Sequence, residues 1–332
     1  MIISYTAKET DRNRTVYSIM RRELKASAAL TRRLKAAGAI SVSGAPVFTD
    51  DRLSPGETVF LDIAAAEPPC DNIPEQGDLD VLFENEGLIA VNKPAGIIVH
   101  PSRSKNTGTL ANFVAGYLGT QGAVQGTRGD GSIVFASEHN RTVPLCPSVC
   151  HAVNRLDRDT SGVVLFAKNS YMKALASDAL SEKPAIKEYL AILYGATPER
   201  GVIDAPIRRL EERNMLRVPS PDGQKATTHY ETLHVTRAEE DTISLVRLRL
   251  ETGRTHQIRV HCLHIGHPVM GDKLYSTEES RNISQKLSIA TQALHAHKLK
   301  FTEPLSGQFT EIIAPVMPEN FPCIFPRDML PY

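Results

Sequence analysis

The chain has 332 residues, and 41% of them are hydrophobic, which is enough to form the core of one large domain or two smaller ones. Basic and acidic residues are equal in number, 38 of each, so the net charge does not by itself indicate a nucleic-acid partner. The five scattered cysteines argue against a disulfide framework, and no apolar run is long enough for a signal peptide or a membrane span. We therefore expect a cytoplasmic protein.

Charge is nevertheless distributed unevenly along the chain. Residues 12–38 contain eight Lys or Arg residues and one acid, whereas residues 50–86 contain eleven acids and one base. A basic stretch of this kind is typical either of helices that bind phosphates or of an ordinary solvated helix face. The candidate phosphate contacts in it are Arg21, Arg22, Lys25, Arg32, Arg33 and Lys35.

The N-terminal elements form a recognisable order. Apolar residues at helical spacing predict helical structure over residues 14–37, and Gly38 is a typical helix stop. Strands are predicted at residues 39–42 and 58–63, separated by Gly- and Pro-containing turns. Two basic helices, a glycine stop and a strand–turn–strand unit resemble the S4-like RNA-binding module. The resemblance implies a small α/β RNA-binding domain over residues 1–66, whose arginines meet phosphates and give affinity without much sequence choice.

A linker and a second, larger domain follow. Residues 67–78 are rich in Pro and acids and are interpreted as the linker, and residues 79–332 as the second domain. This domain opens with two predicted strands, 79–84 and 88–93, and a rigid Lys-Pro-Ala-Gly turn over residues 93–96.

Residues 119–149 are Gly-rich and are predicted to be irregular. Such a segment is either a loop that becomes ordered on RNA or a tolerated surface insertion. Cys146 and Cys150 lie at its end beside His151, but no second pair at metal-ligand spacing accompanies them. We therefore expect no metal there.

Residues 155–163, Arg-Leu-Asp-Arg-Asp-Thr-Ser-Gly-Val, are the most informative stretch. They place Asp157 on a tight turn between arginines, directly before the apolar strand 163–167. A carboxylate fixed in this way is suited to act as a nucleophile. An acid before Thr-Ser-Gly also occurs in ordinary turns, where it accepts hydrogen bonds from backbone N–H groups.

Two later segments carry further candidates. Residues 187–195 alternate like a strand and contain Tyr189, either a core residue or, as a family resemblance implies, a ring that stacks on a base and whose hydroxyl moves a proton. Residues 246–251 also alternate, and a helix is predicted to start at Arg254, where a guanidinium is expected to pair with Asp157 and keep it ionised. The histidines near this helix are interpreted as packing and hydrogen-bonding residues, not metal ligands: His256, His261, His264 and His267.

Taken in order, the motifs over about residues 79–316 resemble those of the RluA-type pseudouridine synthases, enzymes that isomerise uridine in RNA. That family usually has His-Arg-Leu-Asp at the nucleophile, where this chain has Asn154 in place of the histidine. The resemblance implies an α+β pseudouridine synthase fold with a mixed, largely antiparallel central sheet and a cleft across its middle. It implies neither cofactor nor metal.

The same resemblance implies roles for individual residues. Asp157, Tyr189 and Arg254 are the expected catalytic residues, and Arg155 is expected to fill the space that a flipped uridine vacates. Two covalent routes remain open for Asp157: addition to carbon 6 of uracil, or chemistry at the anomeric carbon of the ribose.

We expect an RNA pseudouridine synthase that acts as a monomer, with ribosomal RNA favoured over transfer RNA as its partner. One alternative is a catalytically silent RNA-binding protein on the same scaffold. Another is an aspartate phosphatase, because residues 157–161 loosely match an Asp-x-Asp-x-Thr motif. Against the phosphatase, the apolar strand follows the acid here, and Ser276 stands where a second magnesium-binding acid is expected.

Overall fold

A computed structural model describes residues 1–68, 72–102, 105–120, 124–127, 133–136, 150–211, 216–316 and 325. The described chain forms a small N-terminal module with its own sheet and a larger part built on a mixed sheet, so the predicted α+β class is confirmed. Within this part of the chain, no helix combines the length and the apolar character needed to cross a membrane.

The N-terminal module consists of four strands and two helices. They are β1 (Ile2–Thr6), α1 (Val16–Arg22), α2 (Ala28–Ala36), β2 (Ile40–Val42), β3 (Ala45–Pro46) and β4 (Thr58–Asp62). The strands pair in the order β1-β4-β2-β3, all antiparallel. Thr15 and Ser27 cap the two helices by accepting backbone N–H groups, and Gly38 adopts a left-handed φ of 62° after α2, as expected for a helix stop.

The larger part contains the remaining described elements. Its strands are β5 (Val81–Glu84), β6 (Leu88–Lys93), β7 (Val124–Thr127), β8 (Ile133–Ala136), β9 (His151–Ala152), β10 (Ser161–Ala167), β11 (Ile186–Tyr194), β12 (Arg200–Asp204), β13 (Ile207–Arg209), β14 (Arg217–Pro219), β15 (Thr227–Ala238), β16 (Asp241–Leu250), β17 (Leu294–Thr302) and β18 (Phe309–Ile313). Its helices are α3 (Leu110–Thr120), α4 (Ser170–Ser181), α5 (Gln257–His264) and α6 (Glu278–Lys286).

The central sheet has the order β12-β15-β16-β11-β17-β10-β6-β5, with β9 beside β10 and β18 beside β17. Its described pairs are antiparallel except for β10 and β17, which are parallel. The predicted mixed, largely antiparallel sheet is therefore confirmed. The neighbours β11, β17 and β10 lie in its middle, and this is where the candidate site residues converge.

In the segment 119–149, predicted to be irregular, the described residues include the end of α3 and two strands. Strands β7 and β8 pair as an antiparallel hairpin. The rest of that segment, including Cys146, lies almost entirely outside the described residues. The expectation of no metal there is therefore not tested.

The N-terminal module packs directly on the larger part, because buried apolar side chains of both belong to one continuous core. The Tyr171 hydroxyl on α4 donates to the carbonyl of Leu24 at 2.9 Å. The Glu67 carboxylate, at the start of the predicted linker, accepts from the backbone N–H of Ser170 at 2.9 Å and lies 2.9 Å from His151 Nε2. Farther along, Glu75 accepts from a backbone N–H at 2.9 Å. The predicted linker is thus anchored at both ends.

Candidate active site

Asp157 lies in the turn between β9 and β10, as the sequence suggested. The backbone N–H of Thr160 donates to the carbonyl of Asp157 at 3.2 Å, which closes the turn. The side chain of Asp157 is 27% exposed, so its carboxylate remains accessible from the cleft. Gly162 has a φ of 109°, and a Cβ there would lie 2.2 Å from the carbonyl oxygen of Ala296 on β17. Only glycine therefore lets the strand after the turn approach β17 this closely.

Asn154, where the chain departs from the usual family motif, fixes the segment before this turn against β10. Its side-chain oxygen accepts from the backbone N–H of Leu165 at 2.7 Å, and its amide donates to the carbonyl of Val163 at 3.1 Å. The asparagine thus satisfies two polar groups of β10 that face the incoming chain.

Lys93 also holds the Asp157 turn in place. Its side chain is fully buried, and its ammonium donates to the carbonyls of Pro94, Ile97 and Arg158 at 2.9, 2.8 and 2.7 Å. The carbonyl of Arg158 also accepts from the N–H of Gly96 at 2.9 Å. Burial lowers the pKa of Lys93 to about 7. The Lys-Pro-Ala-Gly turn, to which sequence reasoning assigned no site role, is therefore fastened to the Asp157 turn.

The partner of the Asp157 carboxylate is Arg259 on α5. Its Nη1 donates to Asp157 Oδ2 at 2.7 Å, while Nε and Nη2 donate to the two oxygens of Asp272 at 2.6 and 2.8 Å. Arg259 and Asp272 are both buried. Burial acts to lower the pKa of Arg259, but Asp272 and Asp157 outweigh it and raise the pKa above its usual value. This fork-to-fork pair fixes the guanidinium, which in turn orients the nucleophile candidate.

The expected ion pair between Arg254 and Asp157 was wrong. Arg254 is exposed, and its Nε donates to the carbonyl of Lys225 at 3.1 Å. The reason is that α5 begins at Gln257 and not at Arg254, so the inward guanidinium comes from a position within the helix. An arginine inside the apolar run of α5 was the sequence signal that pointed to Arg259.

Tyr189 occupies an irregular position on β11. The register between β11 and β17 shifts between Glu188 and Leu190, so Tyr189 lies at a bulge, a feature that commonly re-aims a side chain. It packs against two neighbouring core clusters and lines the cleft. Burial, and secondarily the charge of Asp157, raise the pKa of Tyr189, so its hydroxyl keeps its proton at neutral pH.

His256 completes the described wall of the cleft, although sequence reasoning treated it as a packing residue. It precedes α5 with a left-handed φ of 59°, which is uncommon for a residue other than glycine. Its Nδ1 lies 2.8 Å from the Tyr275 hydroxyl, and its Nε2 lies 3.9 Å from Asp157 Oδ1. Burial lowers the pKa of His256.

One cleft brings the predicted residues of the larger part together. It is lined by Arg155, Asp157, Tyr189, Arg254, His256 and Arg259, among others. Within the described chain, no group of three or more His, Cys, Asp or Glu side chains is arranged to hold a metal ion.

The six N-terminal candidates belong to the separate module and do not line this cleft. Arg22, Lys25, Arg32 and Lys35 are exposed, as is Arg21, which donates to the carbonyl of Ala26. Arg33 differs from them. It is half-buried, and its Nε and Nη2 donate to the carbonyl of Ala66 and the hydroxyl of Ser170, each at 2.8 Å. The RNA contact of Arg33 stays a prediction, and the structure shows that its guanidinium fastens the module to α4.

Comparison with known proteins gives a consistent result. A family model described as RNA pseudouridylate synthase matches residues 87–264. A Bacillus subtilis protein named uncharacterized RNA pseudouridine synthase YhcT is 35% identical over 315 residues, which are 95% of this chain and 90% of that protein. A Xanthomonas campestris protein named ribosomal large subunit pseudouridine synthase D is 33% identical over 277 residues, covering 81% of this chain and 75% of that protein.

Solved structures agree on the fold. Human RNA pseudouridylate synthase domain containing 1 superposes with a TM-score of 0.55 at 23% identity, covering 77% of this chain and 90% of the human chain. Human RNA pseudouridylate synthase domain containing 4 gives a TM-score of 0.52 at 23% identity, covering 72% and 88% of the two chains.

Proposed function

This chain belongs to the RNA pseudouridylate synthase family and is an RNA pseudouridine synthase, and we propose that it modifies ribosomal RNA with Asp157 as its nucleophile. The choice of RNA is supported by relatives from several bacteria that are named ribosomal large subunit pseudouridine synthase D. Transfer RNA is the alternative substrate.

The observation that carries the nucleophile assignment is the Asp157–Arg259 pair. The carboxylate is accessible from the cleft, yet it is held at 2.7 Å by a guanidinium that Asp272 itself fixes. Such preorganisation keeps the carboxylate oriented when a bound base displaces water. A surface turn residue needs no such support.

Either covalent route suits this geometry. In one, an Asp157 oxygen bonds to carbon 6 of uracil, and the electron pair of the 5,6 double bond moves toward oxygen 4. In the other, the oxygen bonds to the anomeric carbon while the bond to nitrogen 1 breaks and its electron pair stays on uracil. In the first route the bond between nitrogen 1 and the anomeric carbon then breaks, and its electron pair stays on the base. In both routes the base rotates, carbon 5 bonds to the ribose, the bond to Asp157 breaks, and the carbon 5 proton leaves while nitrogen 1 takes up a proton.

The other cleft residues take supporting roles in this proposal. Tyr189 supports the flipped base from the β11 bulge, and its hydroxyl assists a proton transfer. Arg155 is exposed beside the nucleophile and fills the gap left in the RNA stack. Arg254, free of any role in holding Asp157, contacts the RNA from the exposed edge of the cleft.

We further propose that residues 1–66 are an S4-like RNA-binding domain. Two basic helices beside a small antiparallel sheet support this assignment. The phosphate contacts are the exposed cations Arg21, Arg22, Lys25, Arg32 and Lys35. The buried, free thiol of Cys262 supports action in the reducing cytoplasm, where we propose that the protein works as a monomer.

The test is tritium release from unmodified RNA that carries 5-tritiated uridine. Transcripts of large-subunit ribosomal RNA and of transfer RNA are compared, with Asp157→Ala as the inactive control. We expect release from the ribosomal transcript with wild type only. Release confined to transfer RNA would overturn the substrate, and RNA binding without any release would indicate the catalytically silent binder.

A further inference from the structure

One side chain at the centre of the cleft has chemistry that the proposed roles do not use. His256 lines the same cleft as Asp157 and Tyr189, and its side chain is 10% exposed. Its Nε2 lies 3.9 Å from Asp157 Oδ1, which is too long for a hydrogen bond. The imidazole edge therefore faces the space beside the nucleophile without bonding to it.

A neighbouring hydroxyl favours one tautomer of this ring. The Tyr275 oxygen accepts from the backbone N–H of Arg217 at 2.8 Å and lies 2.8 Å from His256 Nδ1. Burial raises the pKa of Tyr275, so the hydroxyl keeps its hydrogen and can donate it to Nδ1. A neutral imidazole that accepts at Nδ1 carries its proton at Nε2. The N–H at Nε2 is then directed at the site.

Neutrality of the ring follows from its surroundings. Burial lowers the pKa of His256, and Arg259 and Arg217 lower it further, while Asp157 and Asp272 act in the opposite direction. The net change is downward, so the ring is a neutral hydrogen-bond donor at physiological pH.

The backbone is distorted to place the ring there. His256 has a φ of 59°, and the next residue, Gln257, is held by hydrogen bonds from Thr252 Oγ1 and to Thr228 Oγ1 at 2.8 and 3.0 Å. Left-handed residues other than glycine persist where the surrounding structure determines them, and they cluster at functional sites. The distortion points the imidazole into the cleft ahead of α5.

We infer that His256 is a catalytic residue that donates a hydrogen bond from Nε2 to oxygen 4 of the target uracil. This rests on the proposed function of Asp157. In both covalent routes the displaced electron pair is shared with oxygen 4, as an enolate after addition at carbon 6 or as the delocalised anion after cleavage at nitrogen 1. A fixed donor at that oxygen stabilises the developing charge, and His256 keeps its proton throughout.

The same contact recognises the base. Cytosine carries an amino group at position 4, which would meet the Nε2–H donor with another donor. A donor directed at position 4 therefore selects uracil, because a buried polar site rejects an analogue that leaves its groups unpaired.

Two substitutions at this position separate the hydrogen bond from the backbone. Asparagine suits the left-handed conformation of residue 256, but the amide nitrogen in His256→Asn takes the place of Nδ1 and not of Nε2. The longer side chain in His256→Gln carries an amide N–H to the place of Nε2. Single-turnover tritium release and the Kd for the same RNA are measured for both variants, with thermal unfolding to verify folding.

We expect His256→Asn to slow release by on the order of 10²-fold with little change in Kd, and His256→Gln to recover about tenfold of that loss. Equal rates for the two variants, or a defect confined to Kd, would overturn the inference. Tyr275→Phe removes the hydroxyl that sets the tautomer and is expected to slow release by about tenfold.

A measurement without RNA keeps this inference separate from the choice of substrate. The ¹⁵N chemical shifts of the His256 ring in the wild-type protein report which nitrogen is protonated. We expect the proton on Nε2, and a proton on Nδ1 would overturn the inference whichever RNA the enzyme modifies. Absence of release by wild type would instead count against the proposed substrate.

Discussion

The cleft and the N-terminal module both use basic side chains, but they use them in opposite ways. In the cleft, Arg259 and Lys93 are buried, and each makes several hydrogen bonds to fixed acceptors. In the module, Arg22, Arg32 and Lys35 extend into solvent. Buried charges define geometry and are costly to disturb, whereas exposed charges give an affinity that depends on salt.

This difference shows that the number of basic residues in a region does not reveal whether they fix the geometry of a site or bind phosphates. A buried guanidinium that lost its partner would leave an uncompensated charge, so Arg259, Asp157 and Asp272 must be treated as one unit. The exposed cations of the module are interchangeable within limits, because each contributes a similar share of attraction to phosphates.

The largest expected effect is at the nucleophile. We expect Asp157→Asn to reduce tritium release by at least about 10⁴-fold, because the amide has no negative charge with which to attack. Binding of the same RNA, measured by filter retention, should remain close to wild type. A variant that kept a measurable fraction of the rate would contradict the assignment of Asp157.

The second effect tests whether the buried cation holds the nucleophile. Arg259→Lys cannot contact Asp272 with two nitrogens and Asp157 with a third, so Asp157 loses its fixed orientation. We expect single-turnover release to fall by about 10²-fold, as expected when reacting groups shift by about 1 Å. We also expect urea unfolding to show a loss on the order of 1–3 kcal/mol.

Arg254→Lys is the matched control for stability. The residue is exposed and lies at the edge of the same cleft, so its substitution should change the free energy of unfolding by less than about 0.5 kcal/mol. If Arg254→Lys and Arg259→Lys lowered the free energy of unfolding equally, the distinction between the exposed and the buried arginine would be lost.

The third effect is a pH dependence that the buried lysine introduces. The pKa of Lys93 is lowered from 10.5 to about 7 by burial, so between these values the unfolded chain binds a proton that the folded chain has released. The free energy of unfolding should therefore rise with pH across this window, relative to Lys93→Met, by up to about 1.4 kcal/mol per pH unit. Below about pH 7 this contribution should be flat.

Urea unfolding of wild type and Lys93→Met across that window measures the difference directly. Parallel curves for the two proteins would show that Lys93 keeps its proton in the folded state over the whole range.

Much of the fold followed from local patterns. The strands predicted at residues 88–93 and 187–195 match β6 and β11 within about a residue, because short runs rich in apolar residues leave a local record in the sequence. Strand β1, which the sequence analysis did not anticipate, alternates between exposed and half-buried positions and finds its partner β4 more than fifty residues later. Pairings at such separation leave no local signal.

The candidate site was likewise predictable where the signal is local and not where residues far apart in sequence meet. The Asp157 turn is a local motif and was identified, but its partner Arg259 is 102 positions away in sequence. The left-handed conformation at His256 delays the start of α5 by three residues from the predicted position, and periodicity does not report φ. Because the helix starts later, Arg259 and not Arg254 pairs with Asp157. The contact of Arg33 with Ser170 was likewise not predicted, because the two residues are 137 positions apart.

Arg32 and Arg33 carry the smallest expected effects and test the comparison within two adjacent residues. Arg32 is exposed, so Arg32→Ala should weaken RNA binding severalfold and lower the slope of log Kd against log salt by about 1, without affecting stability. Arg33 donates to Ala66 and Ser170 at the contact between the module and α4. Arg33→Ala should therefore cost on the order of 1 kcal/mol in unfolding free energy and leave the salt slope unchanged.

Salt titrations of RNA binding and urea unfolding of both variants measure the two quantities. A lower salt slope for Arg33→Ala would mean that this guanidinium contacts RNA phosphate after all, and that burial does not separate the two kinds of cation in this protein.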